Sequence, residues 1–399
     1  MSQTSTPASA AYDFVIVGAG AYGCATAFHL ALGGASVALV DAGSVADGAS
    51  GGWGKRGVRA NRRDLRELEL MREAYDLWPT LADDLKEDCG YVRTGGVCLV
   101  EESPSGSASG LAAARLCADV QNDFGIPTEI WDERTVRERF PAVTKSVKAA
   151  IYAPLDGMSS HQATTTAYAR AAERHGVVLV ENSKVDSLVT DSAGRVSGVT
   201  VDQGEALVAA RQAVVLTNNY GSLRLVQAAN GFKVPIRPIL PQAILVRSEH
   251  SPDIPYLTGH DSRALSVKVL DDDVVMLSGG WRGRWDDETS RGVAIDENVR
   301  ANLDLLSSTF PDLGALSVLA ADAGRIESAS VDHIPFIDTV PGTSNLVIAT
   351  GWTGHGWALV PAASRNIAQW LLTGGKPRAL HPFAFARAMP PPSGRVGTA

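Results

Sequence analysis

A glycine-rich hexapeptide near the start of the chain has the spacing of a phosphate-binding turn. It follows the pattern G-x-G-x-x-G and reads Gly18, Ala19, Gly20, Ala21, Tyr22, Gly23. In this pattern the first glycine permits a tight turn, the second lets the backbone approach a pyrophosphate, and the third lets a helix pack closely on a strand. The helix that follows offers free N–H groups and a positive dipole end to the phosphates. The spacing therefore predicts a dinucleotide site; the alternative is a glycine-rich turn without a ligand.

The residues around this motif supply the elements that must position it. Residues 13–17 form a short apolar run rich in β-branched residues, which predicts a buried parallel strand. A helix predicted over 21–32 and a strand over 36–40 complete a β-α-β unit, and Asp41 ends the second strand. A carboxylate there accepts hydrogen bonds from ribose hydroxyls and disfavours a 2′-phosphate. The alternative for Asp41 is a surface turn residue.

A second glycine-rich segment lies near the end of the chain. It reads Gly351, Trp352, Thr353, Gly354, His355, Gly356. It follows an apolar strand predicted over 346–350 and is expected to open a helix that runs to about Leu372. A helix N-terminus stabilises negative charge, such as develops at the N1–C2=O edge of a reduced flavin. The segment thus favours a flavin over a nicotinamide cofactor; the alternative is a helix entry that only packs.

The remaining periodic segments predict a second sheet and further parts of the nucleotide-binding domain. Strands of the second sheet are predicted over 91–100, 242–246, 264–269 and 274–278. Returns to the first domain are predicted as a helix over 162–175, a strand over 177–180, a strand over 213–217 and the strand over 346–350. A long amphipathic helix is expected over 64–87.

These elements predict an α/β fold (α+β overall). It combines a Rossmann-type nucleotide-binding domain, built on a parallel sheet, with an inserted substrate domain built on a mixed or antiparallel sheet. Two intimately packed domains also suit a chain of 399 residues with a hydrophobic fraction of 45%. The predicted division is a disordered tail over 1–11, a cofactor domain over 12–87, 150–225 and 325–390, and a substrate domain over 88–149 and 226–324.

Composition excludes several classes of partner. The formal net charge of −8 argues against general affinity for nucleic acid or anionic membranes. No apolar run approaches the roughly 18 residues that span a bilayer, and the first residues lack the pattern of a secretion signal. The four cysteines show no metal or redox spacing, which predicts reduced thiols in a cytoplasmic protein without a metal site.

Four segments of the chain form a distinctive set: VIVGAGAYG at the start, GASGGWGKRGVR at 48–59, SVDHIPFID at 330–338 and ATGWTGHGWALVP at 349–361. Together they resemble the D-amino-acid oxidase superfamily of FAD enzymes, and most of all its sarcosine-oxidase-type branch. They occur in the family's order and spacing, and the similarity spans nearly the whole chain. The C-terminal segment and its distance from SVDHIPFID are more specific than the first glycine motif, which many families share.

The resemblance implies an extended FAD and names the residues that hold it. The segment around Ser50 and Gly51 closes over the pyrophosphate, the backbone of Val185 meets the adenine, and residues 351–356 line the isoalloxazine ring. The expected cofactor-binding residues are Gly18, Gly20, Ala21, Tyr22, Gly23, Asp41, Ala42, Ser50, Gly51, Arg56, Val185, Asn218, Gly351, Trp352, Gly354, His355 and Gly356.

Two departures from the family concern covalent attachment of the flavin. Some relatives carry a tethering cysteine seven residues before the aspartate of the SVDHIPFID-like segment, where this chain has Arg325. Others use a histidine just after the second strand, near which Trp53 and Lys55 stand here. The resemblance therefore implies FAD bound without a covalent link.

The resemblance also assigns a substrate site. Arg56 and Arg59 match an R-x-x-R pattern whose first arginine neighbours the flavin and whose second binds the substrate carboxylate through its planar fork of donors. For Arg59 the alternative is a structural ion pair, and most of the basic residues that follow it are expected on a solvated face. Trp352 and Trp281 are further expected substrate contacts.

The implied reaction moves hydride from the carbon beside an amine nitrogen to flavin N5, after which water hydrolyses the imine. His355 is a candidate for biasing amine protonation or contacting the flavin, and a purely structural histidine is the alternative. Relatives that react fast with oxygen have a lysine in the strand before Trp281; the nearest match is Ser278, with Lys268 one strand away. Slow reaction with oxygen is expected unless Lys268 reaches the flavin.

A second difference concerns the size of the substrate. Simple N-methyl amino acid oxidases hold the carboxylate with a further lysine, at the position of Ala358. Its loss and the space beside alanine predict an amine or amino acid larger than sarcosine. The sequence leaves open the amine, the oligomeric state, and whether oxygen or another carrier accepts the electrons.

Three competing functions were weighed. A flavin aromatic hydroxylase would show a G-D-A-x-H segment, which is absent. A nicotinamide-dependent dehydrogenase does not explain residues 351–356. A flavin-carrying subunit of a larger amine-oxidising complex remains the alternative.

Overall fold

The computed structural model describes residues 11–52, 54–102, 109–271 and 273–389. The helices of this part are α1 (Ala21–Leu32), α2 (Leu68–Leu77), α3 (Leu81–Leu85), α4 (Leu111–Asp123), α5 (Glu133–Arg139), α6 (His161–Arg174), α7 (Gly221–Asn230), α8 (Asp296–Thr309) and α9 (Val360–Thr373). The predicted tail lies outside the described residues except for Ala11, which begins the first strand.

The strands fall into two large sheets and three two-stranded ribbons. The first half of the chain contains β1 (Ala11–Val17), β2 (Val37–Val40), β3 (Lys55–Val58), β4 (Gly96–Glu101), β5 (Glu129–Asp132), β6 (Val147–Ala153), β7 (Gly157–Ser160), β8 (Val178–Val180), β9 (Ser187–Thr190), β10 (Val196–Val201) and β11 (Ala206–Leu216). The second half contains β12 (Ile236–Ile239), β13 (Ala243–Ser248), β14 (Leu257–His260), β15 (Ser266–Asp271), β16 (Val274–Ser278), β17 (Arg284–Asp286), β18 (Arg291–Val293), β19 (Leu316–Asp322), β20 (Glu327–Ser330), β21 (Phe336–Thr339) and β22 (Leu346–Thr350).

The first sheet is built around the predicted β-α-β unit. Its main path runs β21-β22-β11-β1-β2-β8, and β10 and β9 attach to β11. Five strands of this path, β22, β11, β1, β2 and β8, are parallel to one another. The edge strand β21 is antiparallel to β22. All the predicted returns to the first domain belong to this sheet or, for α6, pack against α1. Because the strands are parallel, their carboxyl ends meet at one edge, where open α/β sheets bind ligands.

The second sheet has eight strands in the order β19-β13-β16-β15-β14-β4-β6-β5. Only β14 and β4 pair in parallel among these neighbours, so the sheet is mixed, as predicted. One face packs against α8 through an apolar cluster that includes Val267, Val275 and Leu277. The opposite face is turned toward β3 and the segment before it. The two sheets confirm the predicted fold class.

The predicted helix over 64–87 is wrong as one continuous element. The chain forms a 3₁₀ turn at Leu65–Glu67, then α2, a second 3₁₀ turn at Trp78–Thr80, and α3. The break occurs at Pro79, which has no N–H to donate to a preceding turn and whose ring clashes with the carbonyl four residues earlier.

Two other boundaries differ from the sequence pattern. The strand predicted from residue 91 begins only at Gly96, because Gly95 before it has φ +73° and turns the chain. Strand β6 belongs to the second sheet and runs to Ala153, across the division predicted at residue 150. The division into domains itself stays a prediction.

Within the described ranges, no helix is both long and apolar enough to cross a membrane. The same residues contain no group of three or more histidine, cysteine or acidic side chains that could hold a metal ion.

Candidate active site

The three glycines of the first motif have distinct steric surroundings. Gly18 has φ +108°, and a Cβ there would lie 2.8 Å from the Asn218 nitrogen. A Cβ at Gly23 would lie 1.8 Å from the Gly18 carbonyl oxygen, so only glycine lets α1 pack this closely on the turn. At Gly20 no atom of the described residues lies within 4 Å of an added Cβ. The motif is therefore closed on the protein side and open where a pyrophosphate would approach.

Asp41 lies beside this opening and also shapes it. Its carboxylate accepts hydrogen bonds from the backbone N–H of Ala19 at 2.5 Å and of Gly43 at 2.7 Å. Its own carbonyl accepts from the Ser183 N–H at 2.8 Å. Asp41 thus links the glycine turn, the segment after β2 that contains Ala42, and the chain that leads to Val185. The sequence predicted the acid but not its role in holding the turn.

Val185 and Asn218 flank the same edge of the sheet. Val185 is buried, and its carbonyl accepts from the Arg224 guanidinium at 3.1 Å. Asn218 follows β11, and its Oδ1 is buried without a hydrogen-bond partner among the described residues. Such an unpaired polar atom beside the glycine turn is an observation that a bound ligand would explain.

The segment predicted to cover the cofactor is held by Arg56. Its Nη2 donates to the carbonyls of Ser50 at 3.0 Å and Gly52 at 2.6 Å. Its Nη1 is buried and has no partner in the described part of the chain. Burial lowers the pKa of this guanidinium to about 10, partly offset by the charge of Asp322. Gly51, with φ +79°, completes the tight turn over which Arg56 folds.

The C-terminal glycine segment packs against the first motif. Trp352 stacks on Tyr22 with ring centroids 3.7 Å apart, and the Tyr22 hydroxyl donates to the Gly356 carbonyl at 2.5 Å. A Cβ on Gly356 would lie 2.8 Å from the Trp352 indole, so glycine is required there. Gly351 and Gly354 have φ near +81° and +85°. The two motifs therefore form one continuous wall at the edge of the first sheet.

The helix after this segment starts later than predicted. A 3₁₀ turn over Trp357–Leu359 follows Gly356, and α9 begins only at Val360. Pro361 in its first turn fits this start, since proline suits the first helical positions. The free N–H groups of α9 therefore lie about one turn farther along the chain than the sequence suggested.

A buried ion pair joins the C-terminal segment to the R-x-x-R region. Arg63 donates from Nη1 to Glu67 at 3.2 Å, from Nη2 to the His355 carbonyl at 3.0 Å and from Nε to the Arg59 carbonyl at 3.1 Å. The Arg63 and Glu67 side chains are 2% and 0% exposed. The expectation of a solvated basic face is wrong at this pair, which lies at the 3₁₀ turn before α2 and not on a continuous exposed helix.

His355 sits over this pair as a neutral imidazole. Its Nδ1 is 3.8 Å from Glu67 Oε2. Burial, together with the charges of Arg63 and Arg59, lowers the pKa of His355 to about 3. A side chain with this pKa adds no positive charge to its surroundings near neutral pH.

Arg59 has no carboxylate partner within 4 Å among the described residues. Its Nη1 donates to the Asn61 carbonyl, and burial and the Arg63 charge lower the pKa of its guanidinium. Asp156 is the acid whose charge acts on it. Asp156 itself is buried and accepts from the Tyr75 hydroxyl and the backbone, and burial raises its pKa to about 6. The alternative of Arg59 as a direct structural ion pair is thus absent from this part of the structure.

The other expected substrate contacts differ in their openness. Trp352 is only 6% exposed because it packs between Tyr22 and Gly356. Trp281 is half-buried, and its indole N–H is buried without a partner among the described residues. Ala358 is fully buried in the core below α9, and its carbonyl accepts from Trp78 Nε1 at 2.9 Å. The expectation that Ala358 opens space beside the ring is therefore wrong.

A cavity of about 420 Å³ lies between the covering segment and the region after β19. Its walls are Ala46, Asp47, Ala49, Gly52, His161, Gln162, Arg291, Asp322, Gly324 and Arg325. Arg325, at the predicted tether position, pairs with Asp47 at 3.1 Å across this cavity. The position of Trp53, which enters the covalent-attachment argument, lies outside the described residues.

Sequence reasoning missed a buried acid in this region. Glu327 accepts from the Ser50 hydroxyl at 3.0 Å and from the Ser328 N–H at 2.9 Å. Burial raises its pKa. The next residue, Ser328, accepts a hydrogen bond through its Oγ from the Gly351 N–H at 2.9 Å. Strand β20 therefore connects the segment around Ser50 to the C-terminal loop. An acid between small residues carried no periodic signal that could have placed it here.

A parallel sheet with a pyrophosphate turn, facing a second sheet across buried cations, defines a dinucleotide-dependent oxidoreductase of two-sheet architecture. The sequence profile of the FAD dependent oxidoreductase family matches residues 13–370. The chain belongs to this family, which confirms the predicted resemblance, the predicted enzyme class and FAD as the cofactor.

Individual relatives are similar over nearly their whole length. The sarcosine oxidase subunit beta of Rhodobacter capsulatus is 24% identical over 93% of this chain and 88% of its own. The glycine oxidase of Geobacillus kaustophilus is 26% identical over 97% of this chain and 98% of its own. Among solved structures, L-proline dehydrogenase from P. horikoshii has a TM-score of 0.81 at 22% identity, covering 94% of this chain and 98% of that chain. At this identity the structural likeness establishes the fold.

The described residues fit FAD. The open space at Gly20, the first turn of α1 and the Asp41 carboxylate suit a pyrophosphate and a ribose. The unpaired Asn218 Oδ1 and Arg56 Nη1 supply an acceptor and a donor at the same edge.

Proposed function

We propose that this protein oxidises the C–N bond of a secondary amine or an amino acid larger than sarcosine. Its relatives are compatible with this class, since they include a sarcosine oxidase subunit, a glycine oxidase and an L-proline dehydrogenase. Their low identity leaves the particular substrate to be argued from the site.

The observation that carries the proposal is that the Arg59 guanidinium lacks an ion-pair partner among the described residues. The side chain is half-buried, and burial already lowers its pKa. Buried charges in proteins are normally paired, because desolvation of an unpaired ion is costly. A substrate carboxylate supplies the missing partner through two parallel N–H···O bonds. Trp281, an expected substrate contact from the family resemblance, is half-buried, and its indole would offer apolar surface to a substrate larger than sarcosine.

The protein contributes position and electrostatics to this reaction. When bound, FAD accepts the hydride from the carbon beside the amine nitrogen. Arg59 orients the substrate by its carboxylate, and Arg63 holds the Arg59 and His355 backbones at a fixed separation. His355, neutral because of its low pKa, does not oppose the positive charge that develops on the substrate nitrogen. The residues expected to hold FAD remain those predicted from the sequence.

The test is a panel of secondary amines and amino acids mixed anaerobically with the FAD-loaded protein. Loss of flavin absorbance reports hydride transfer without any need to know the natural electron acceptor. A bulky N-alkyl amino acid should bleach the flavin faster, at equal concentration, than sarcosine or glycine. Sarcosine matching every bulkier compound would contradict the size preference, and no bleaching by any amine would contradict the proposed class.

FAD is proposed to be held without a covalent bond, since Arg325 occupies the predicted cysteine position. Acid precipitation should release the yellow colour into the supernatant. Flavin that stays with the pellet would show a tether.

A second candidate, a flavin-carrying subunit of a larger complex, is favoured by one relative being named a subunit. Gel filtration of the isolated chain, with the bleaching assay run on the eluted peak, separates the two. An isolated chain that binds FAD but bleaches with no amine until a partner is added would favour the subunit.

A further inference from the structure

One face of the second sheet lies over the R-x-x-R segment. In the antiparallel pair β15–β16, Lys268 is opposite Met276 and Ser266 is opposite Ser278, so these side chains share a face. The Met276 sulfur would lie 2.9 Å from a Cβ on Gly54. The shared face is therefore the one that looks at residues 54–59.

The neighbouring strand β14 shows independently that this face of the sheet is turned toward residues 54–59. Gly259 of β14 is opposite Ser266, so Leu257, two residues earlier, lies on the Lys268 face as well. A Cβ on Gly57 would lie 3.0 Å from the Leu257 side chain. Lys268 thus projects toward the strand β3, which runs directly into Arg59.

Lys268 is a buried cation without an acid. It is 5% exposed, and its ammonium donates to Ser278 Oγ at 3.1 Å and Ser266 Oγ at 3.3 Å. No carboxylate lies within ion-pair distance of it among the described residues. Its third N–H has no hydrogen-bond partner among the described residues. Burial, together with the charges of Arg56 and Arg59, lowers the pKa of Lys268 to about 7.

We propose that Lys268 is the second cation of the substrate carboxylate site, acting together with Arg59. This rests on the proposed function, and it names the residue that replaces the lysine missing at Ala358. The second cation then comes from the second sheet and not from the C-terminal loop. The carboxylate would be held between Arg59 on one side and Lys268 of this sheet on the other.

The physical argument is the uncompensated charge. A lysine kept only for packing is rarely fully buried unless an acid accompanies it. Three cations, Arg56, Arg59 and Lys268, converge here. The charge of Asp322 acts to raise the pKa of Arg56 and that of Asp156 acts to raise the pKa of Arg59, but neither acid acts on Lys268. An anion entering between Arg59 and Lys268 stabilises both charges. The two serine hydroxyls hold the ammonium in place before the anion arrives.

The pH dependence of anion binding follows from these surroundings. The charged form of Lys268 is disfavoured in the empty site, and a bound carboxylate favours it. Binding above pH 7 therefore takes up a proton, and the affinity for a carboxylate falls as the pH rises, by up to about tenfold per pH unit. Arg56 and Arg59 are the other ionisable groups that act on Lys268.

The experiment measures benzoate binding to the FAD-loaded protein. Benzoate has a carboxylate but no amine, so its own titration does not interfere, and benzamide is its uncharged counterpart. Binding is followed by perturbation of the flavin spectrum and by calorimetry at pH 8 in two buffers of different ionisation heat. The variants are Lys268→Met, Lys268→Arg and, as the matched control, the exposed Lys145→Met.

The expected results are specific to charge. Lys268→Met should weaken benzoate binding by about 10–150-fold, the loss of one charge-assisted hydrogen bond, and should abolish proton uptake. Benzamide affinity, FAD content and the Lys145→Met protein should be unchanged. Lys268→Arg should bind benzoate with an affinity independent of pH between 7 and 9.

Three outcomes would overturn the proposal. One is unchanged benzoate binding in Lys268→Met, including the case in which only the reaction of the reduced flavin with oxygen slows, which would assign Lys268 to the acceptor. The second is persistent proton uptake in Lys268→Arg, which would place the titrating group elsewhere. The third is an equal loss of benzoate and benzamide affinity. No turnover is needed, so failure here is distinct from failure of the amine panel.

Discussion

At the nucleotide end of the cleft, one uninterrupted stretch of chain from β1 to Asp41 supplies the turn, the helix and the acid. At the substrate end, the charged groups come from β3 and the segment after it and from β15, which are far apart in sequence. The first end is held by backbone geometry that only glycine permits. The second end contains buried charges: Arg63 is paired with Glu67, whereas Arg59 and Lys268 have no ion-pair partner among the described residues. Substitutions should therefore act through sterics at one end and through electrostatics at the other.

The largest effect on cofactor binding is expected from a pair of glycine substitutions. Gly23→Ala places a methyl group 1.8 Å from the Gly18 carbonyl oxygen, so the turn and α1 must separate. Overpacking of this kind costs about 1–3 kcal/mol or more, and FAD binding should be lost with it. Gly20→Ala is the matched control, because its methyl group enters open space. That variant should keep the stability of the apoprotein yet bind FAD more weakly.

The measurement is thermal unfolding of both apoproteins together with titration by FAD. If Gly20→Ala binds FAD as tightly as the parent protein, the pyrophosphate does not lie against this turn.

The next effect tests the compensated charges at the substrate end. Glu67→Leu leaves Arg63 buried without its acid, which should lower the free energy of unfolding by about 3–5 kcal/mol. Glu138→Leu removes one partner of the exposed Arg134–Glu138 pair and should change the free energy of unfolding by less than about 0.5 kcal/mol. Denaturant unfolding with saturating FAD compares them. Equal effects of the two substitutions would contradict the buried pair as the junction between the R-x-x-R region and the C-terminal loop.

A smaller effect is expected at Asp41. Asp41→Ala removes the ribose acceptor and the acceptor of the Ala19 and Gly43 N–H groups. The affinity for FAD should fall by about 1–3 kcal/mol, measured as the dissociation constant of the reconstituted protein. Asp13→Ala, at the other end of β1, is the control and should leave that constant unchanged. An unaltered constant in Asp41→Ala would remove this residue from the cofactor site.

The same contrast explains what the sequence could predict. Helix α1 and strand β22 have the predicted bounds, because apolar periodicity and flanking glycines are local signals. Asp41 was placed correctly because it directly follows a buried strand. The burial of Glu67 was not predicted, since it depends on the 3₁₀ turn before α2 and on the buried pairing with Arg63, neither of which has a periodic signal.

The juxtaposition of Lys268 and Ser278 shows the other limit. Both residues were singled out in the sequence, on neighbouring predicted strands. Whether the ammonium reaches the serine depends on the register of β15 against β16, and a shift of one residue would send the lysine to the opposite face. The start of α9 was missed for a similar reason, since the 3₁₀ turn before it has no distinctive composition.

The central claim is that Arg59 recognises a substrate carboxylate beside the flavin. It is tested most directly by anaerobic flavin reduction with a matched pair of compounds, an N-alkyl amino acid and the same amine without its carboxylate. In the parent protein the acid should be favoured by about 10–150-fold in affinity, the value of one charge-assisted hydrogen bond. Arg59→Ala should lose that preference and still reduce the flavin with the plain amine. An Arg59→Ala protein that keeps the full preference for the acid would contradict the account.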